Sequence, residues 1–173
     1  ESNTMLCPDI LSLESYQATI KAMGADVASA NYQQEPIDIK GKLYTSFKTY
    51  TELPPHFNGI YSYTDTADEG SDWLCSIIWG VFQKEAYVLD VYFTKAPMEE
   101  TEVESARRHK EYEVNNAKIE SNNGGRGFAR NVRRISEENL DNHRTVWTWF
   151  HQSNNKVARI ITYSTWVMQH VYF

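Results

Sequence analysis

The sequence predicts an α/β domain, a mixed sheet with helices on both faces, preceded by an extended arm. Three observations carry this. Three β-rich runs succeed one another between residues 59 and 94, separated only by short turns. From residue 97 onward helical and extended patterns alternate, so the order reads β-β-β-α-β-α-β-α. Of the 173 residues, 41% are hydrophobic and 13% aromatic, enough to bury a core rather than leave the chain disordered.

Residues 1–55 differ in pattern from the rest of the chain. One short helix is expected near residues 12–24, capped by Ser12 and stopped at Gly24. The remainder, up to Pro54-Pro55, is extended, polar and aromatic. Residues 1–55 are therefore expected to be a linker or arm from an upstream domain, and 56–173 the folded domain. Residues 59–66, GIYSYTDT, alternate and are rich in β-formers, which makes them the first strand. WLCSIIWGVFQ (73–83) is the second strand, Gln83-Lys84-Glu85 turns the chain, and AYVLDVYFT (86–94) is the third. Their dense apolar content predicts strands covered on both faces.

Residues 97–114 form a charged helix. Pro97 suits its start, and the acids of its first turns sit where the helix dipole favours them. AKIESNN (117–123) is a short fourth strand running into a Gly-rich turn. Residues 124–140 form a second helix, with Phe128, Val132 and Ile135 on one face. RTVWTWFHQ (144–152) is the fifth strand, and residues 155–173 are a third helix. Its stripe is Val157, Ile160, Ile161, Ser164, Val167 and Val171. Trp147, Trp149 and Trp166 are expected to build core or partner surface. An antiparallel meander leading into alternating strands and helices is the order of the ribonuclease H-like fold. Nucleases and transposases with that fold place acids at neighbouring strand ends.

Several functions are disfavoured. A formal net charge of -6 argues against nucleic-acid binding by bulk charge, although distribution matters more than the sum. Only Cys7 and Cys75 are present, so a disulfide framework is not expected and a reducing compartment is. No apolar run is long enough to span a membrane, and ESNTML does not read as a signal peptide. With no initiator Met and an abrupt end on VYF, the chain reads as a piece of something longer. It contains no Walker A sequence, which excludes ATP binding by that route.

The stretch TDTADEGSDW sets four carboxylates within eight positions. Its plain reading is an acidic hairpin loop opened by Gly70, and Asp68 and Glu69 fit that reading. Asp65 differs, because it lies on the strand. Glu120 ends the fourth strand in the same way. If strands one and four are parallel neighbours, the two carboxylates meet at one sheet edge, where they need a counter-charge. Oxygen donors of this kind suit Mg²⁺ or Mn²⁺, and two such ions roughly 4 Å apart would hydrolyse a phosphodiester. Asp72, at the start of strand two, is either a third ligand or a supporting residue.

NNGGRGF departs from both common nucleotide-binding loops. It offers instead a helix N-terminus with exposed amides, suited to a phosphate or to plain capping. Arg126, Arg130, Arg133 and Arg134 cluster on the helix after that loop. They either grip a nucleic-acid backbone or form a solvated face paired with Glu137 and Glu138. Lys156 and Arg159, three apart after the fifth strand, are placed to hold a phosphate, and His151 lies nearby. His109, His143 and His170 have no ligand-like spacing.

Taken together, ANYQQEPID, YTDTADEGSDW, YVLDVYFTK, IESNNGGRGFARNVRR and FHQSNNKVARI cover most of residues 30–170. In this combination the chain resembles the C-terminal nuclease domain of the large terminase subunit of tailed bacteriophages. That resemblance implies a ribonuclease H-like endonuclease that comes after a packaging ATPase and cuts concatemeric double-stranded viral DNA. It implies catalytic and metal-binding roles for Asp65 and Glu120, with Asp72 in support, and two Mg²⁺ or Mn²⁺ ions as cofactors. On this reading Lys156, Arg159, Arg126 and Arg130 are the expected DNA contacts. The portal protein and the small terminase subunit would be partners, the site of action the host cytoplasm, and the isolated domain monomeric. The family's third acid, in a late Asp-Asp-rich stretch, is missing from this sequence, and Asp90 is either an in-chain substitute or, as its place in the third strand favours, an outward-facing strand residue. The alternatives are a non-catalytic DNA- or portal-binding module and another ribonuclease H-like nuclease or transposase.

Overall fold

The computed structural model describes residues 14, 17, 44–66, 72–122, 125–153 and 155–173. Asp68, Glu69 and, apart from positions 14 and 17, the short helix expected near residues 12–24 lie outside the described residues. The chain divides into two compact units. One is Phe47–Ser153 with Gln169–Phe173, and the other is Glu1–Ser46 with Asn154–Met168.

Among the described residues the strands and α-helices are, in chain order, β1 (Gly59–Asp65), β2 (Leu74–Phe82), β3 (Glu85–Thr94), α1 (Met98–Glu111), β4 (Asn116–Glu120), α2 (Gly125–Arg134), β5 (Val146–Phe150), α3 (Lys156–His170) and β6 (Val171–Tyr172). The strands form one mixed six-stranded sheet in the order β5-β4-β1-β2-β3-β6. β1, β2 and β3 are an antiparallel meander, β4 runs parallel to β1, and β5 runs parallel to β4. This is the ribonuclease H-like arrangement that the element order predicts.

Two local features depart from the sequence reading. The turn between β2 and β3 is only two residues, Gln83 and Lys84, at φ 49° and 69°. A turn with both φ positive matches the right-handed twist of its strands even without the usual glycine. The end of the chain is also different, because residues 171–172 are not helix. They pair in parallel with Ala86 and Tyr87, and Tyr172 stacks on Tyr87 at 4.8 Å and 7°. Phe173 N–H donates to the Lys48 carbonyl (2.9 Å) and Tyr50 N–H to the Phe173 carbonyl (3.3 Å). The helical stripe ran through Val171, but pairing to an open sheet edge outweighs one more turn of helix. Residues 47–58 pack on the sheet as well. Tyr50 donates its hydroxyl to the Val88 carbonyl at 2.7 Å, and the Phe57 ring fills the space where Gly80 lacks a side chain.

Side chains alternate across the sheet, as strand geometry requires. Leu74 and Ile78 of β2, Ala117 and Ile119 of β4 and Trp147 of β5 face the helices. There they pack with Ala106 of α1 and with Phe128, Ala129 and Val132 of α2. Phe128 and Val132 are completely buried, as their spacing predicts. Burying a ring such as Phe128 contributes about 2–3 kcal/mol. The other face is more open. Val91 and Phe93 of β3 are 51% and 57% exposed, so β3 is not covered on both faces as its composition suggests. An apolar run records only that a strand is apolar, not what lies over it.

The helix-facing layer also holds a polar seam. Thr64 and Ser76 hydroxyls share a hydrogen bond at 2.8 Å. Asn142 donates to the hydroxyls of Ser136 and Thr145, and Thr145 in turn donates to the Val114 carbonyl. His109 of α1 is completely buried against the Trp147 ring. Its Nδ1 lies 2.5 Å from the Ser105 carbonyl, which only accepts, so Nδ1 carries the proton. Nε2 then accepts from the Ser62 hydroxyl at 2.7 Å. Burial pushes the His109 pKa down to about 4, against the opposing effect of the Ser105 carbonyl.

Candidate active site

β1 and β4 are parallel neighbours, with Thr64 opposite Ile119. One residue further along, both strands end, on Asp65 and Glu120. Thr64 and Ile119 face the helices, so alternation turns Asp65 and Glu120 to the opposite face, side by side at the carboxyl edge. The register continues on both sides of the pair. Cys75 of β2 is opposite Asp65, Phe93 of β3 is opposite Cys75, and Phe150 of β5 is opposite Glu120. One row thus crosses five strands with two acids near its middle.

Glu120 is 6% exposed and is held from several directions. The Tyr63 hydroxyl donates to its carboxylate. The Thr66 hydroxyl donates to its backbone carbonyl at 3.2 Å, tying the end of β1 to the end of β4. α2 begins at Gly125, whose N–H donates to the Asn122 carbonyl at 3.1 Å. A Cβ on Gly125 would strike that same Glu120 carbonyl and the Thr66 hydroxyl. Gly125→Ala is therefore expected to destabilise the domain by about 1–3 kcal/mol, the usual range for overpacking. Two positions on, a Cβ at Gly127 meets nothing within 4 Å. Gly127→Ala should stabilise the domain by about 0.5–1 kcal/mol through helix propensity. Thermal unfolding of the two variants checks both signs. Asn122 closes the loop, exchanging hydrogen bonds with the Gln152 backbone, 2.9 Å each way.

The remaining residues singled out in the sequence separate. Asp72 is exposed just ahead of β2. Among the described residues no group of three His, Cys, Asp or Glu side chains is arranged to hold a metal ion. Asp90, expected to be either a substitute for the missing acid or an outward-facing strand residue, is not outward-facing. Its strand partner is Ile78 of the buried face, and Arg108 of α1 donates to it at 2.5 Å while lying over the Tyr92 ring. Asp90 therefore faces away from Asp65. The arginines of α2 divide in two. Arg133 and Arg134 pair with Glu137 and Glu138 at 2.8 and 3.5 Å, whereas Arg126 and Arg130 are exposed and have no ion pair among the described residues.

Lys156 and Arg159 lie in the first turn of α3, in the other compact unit, whose start is capped by the Asn155 side chain. His151 is exposed immediately after β5. Among the described residues no helix is long and apolar enough to cross a membrane. Sequence reasoning missed Tyr63 and Thr66. The one available signal was that both stand within two residues of Asp65.

A scan of protein-family models finds no match for this chain, nor does a search of curated proteins. Solved structures do match. The large terminase from a thermophilic bacteriophage aligns at 10% identity over 94% of this chain and 41% of that one, with a TM-score of 0.56. The nuclease domain of the large terminase subunit gp2 of bacterial virus Sf6 aligns at 16% identity over 57% and 40%, with a TM-score of 0.44. The large terminase (g2p) nuclease domain from bacteriophage SPP1, with bound Mn, aligns at 16% identity over 67% and 60%, with a TM-score of 0.43. The chain spans less than two thirds of each of these proteins. It shares the fold of part of that thermophilic phage's large terminase.

Proposed function

We propose that this chain carries the nuclease domain of a phage DNA-packaging terminase, a divalent-metal-dependent endonuclease acting on double-stranded DNA. The observation that supports this best is the placement of Asp65 and Glu120 at the carboxyl ends of two parallel neighbours, each one residue beyond the Thr64–Ile119 pair, in a sheet that shares the fold of part of a large terminase. The two carboxylates are hard oxygen donors, and their proximity calls for a cation, so they fit Mg²⁺ or Mn²⁺. Asp65 and Glu120 would hold the metal, and Asp72 is the in-chain candidate for supporting a second ion. When bound, such ions activate water and stabilise the leaving oxygen of a phosphodiester.

The protein's own contribution is positioning. Tyr63 and Thr66 fix Glu120, and the exposed Arg126 and Arg130 at the start of α2 offer charge to DNA phosphates. Lys156 and Arg159 are further phosphate ligands in this reading. The portal protein and the small terminase subunit are the partners such a motor component would meet. Tyr63→Phe is expected to weaken Mn²⁺ uptake or cleavage about 10–100-fold, as loss of a partner behind a metal ligand does.

The test is plasmid cleavage in Mn²⁺ or Mg²⁺ together with calorimetric titration of Mn²⁺. Stoichiometric uptake and cleavage, both lost on Asp65→Ala or Glu120→Ala, are the expected results. Cleavage undiminished in those variants would sink the site assignment. Failure to take up Mn²⁺ would indicate a DNA- or portal-binding module instead.

A further inference from the structure

Beside the acid pair, the open face of the sheet presents two large aromatic rings to solvent. Trp73 and Phe93 are 47% and 57% exposed, yet they stack on each other at 4.5 Å with their planes 8° apart. Lys95 Nζ lies 4.8 Å from the centre of the Trp73 ring. Phe93 belongs to the row that contains Asp65, two strands away, or about 10 Å at ordinary strand spacing. On the far side of the acids the pattern recurs, because Lys118 Nζ lies 4.5 Å from the centre of the Phe150 ring, opposite Glu120. Both lysines thus put positive charge beside an aromatic surface, one on each side of the carboxylates.

We propose that Trp73 and Phe93 form a stacking platform for unpaired bases, with Lys95 and Lys118 taking the adjoining phosphates. The occupant is a DNA strand that is frayed, gapped or otherwise single-stranded next to the bond at Asp65 and Glu120. This rests on the nuclease reading and deepens it, by naming the form of DNA the site takes. Charge complementarity selects that occupant. A paired aromatic surface accepts the flat face of any base, and flanking ammonium groups suit a polyanion. An apolar protein segment would cover the rings but offer no charge to either lysine. Double-helical DNA hides its base faces and would use only the lysines.

Binding is measured by fluorescence anisotropy in EDTA, so that neither metal nor cleavage enters the result. The probes are a labelled oligothymidylate, about 12 nucleotides to suit one stacking groove, and a blunt duplex of the same length. Stacking is worth about 1–3 kcal/mol per base, so Trp73→Ala or Phe93→Ala should weaken oligothymidylate binding roughly 5- to 150-fold. Duplex binding should change less than twofold, and Trp73→Phe should keep most of the affinity. Lys95→Ala should reduce the salt dependence of binding by about one ion. Circular dichroism confirms that the variants are folded. Unchanged oligothymidylate binding in both alanine variants, or an equal loss for the duplex, overturns the platform. Neither outcome bears on the nuclease reading, which fails only if the parent with Mn²⁺ does not cut.

Discussion

Glu120→Gln is expected to reduce Mn²⁺-dependent cleavage at least ~100-fold while leaving the domain folded, the scale on which losing one electrostatic stabiliser of a transition state is felt. The substitution keeps the shape of the side chain and its capacity to accept from Tyr63, and removes only the negative charge. Because Glu120 is almost completely buried beside Asp65, that charge is what the site stands to lose. Asp65→Asn is expected to act in the same direction. Circular dichroism and thermal unfolding of each variant separate loss of chemistry from loss of fold. Parent-like cleavage by folded Glu120→Gln would remove Glu120 from the site.

The second large effect is on stability rather than chemistry. Buried His109 takes a proton only near pH 4, whereas an unfolded histidine takes one near its ordinary 6.5. The unfolded chain therefore binds this proton first as pH falls. The contribution of His109 is fully present above pH 6.5 and disappears as pH drops through the window to 4. The total loss is about 3 kcal/mol, from roughly 1.36 kcal/mol per pH unit. Urea unfolding at several values between about pH 7 and 4 measures it. In His109→Gln this part of the pH dependence should vanish, while the part due to carboxylates remains. If parent and variant lose stability in parallel, the buried imidazole is not the cause.

His109 also shows where sequence reasoning stops. Its spacing from the other histidines suggested no role, and local pattern gave no hint that Ser62, 47 positions earlier, would meet its Nε2. The polar seam around it is a product of packing, because a buried hydroxyl or imidazole is tolerated only where another element supplies its hydrogen bond. Phe128 and Val132 are the opposite case. Their separation by four places them on one helix face whatever surrounds it, and that face is buried.

The candidate site divides in the same way. Asp65 and Glu120 were legible because each ends a run of β-formers, and the strand order they belong to makes parallel neighbours of β1 and β4. Asp90 was misread, since only the register with Ile78 turns it towards Arg108. The hold on Glu120 by Tyr63 and Thr66 was not legible, nor was the stack of Trp73 on Phe93.

By itself, then, the sequence determined the order of the elements as far as α3, the buried face of α2 and the two acids at strand ends. These arise from periodicities of about 2 and 3.6 residues, which are properties of the local backbone. Tertiary structure alone decided that residues 171–172 are a strand, which side of the sheet is open, and which neighbours hold Glu120. Those outcomes depend on contacts between residues tens of positions apart, and no local period records such contacts.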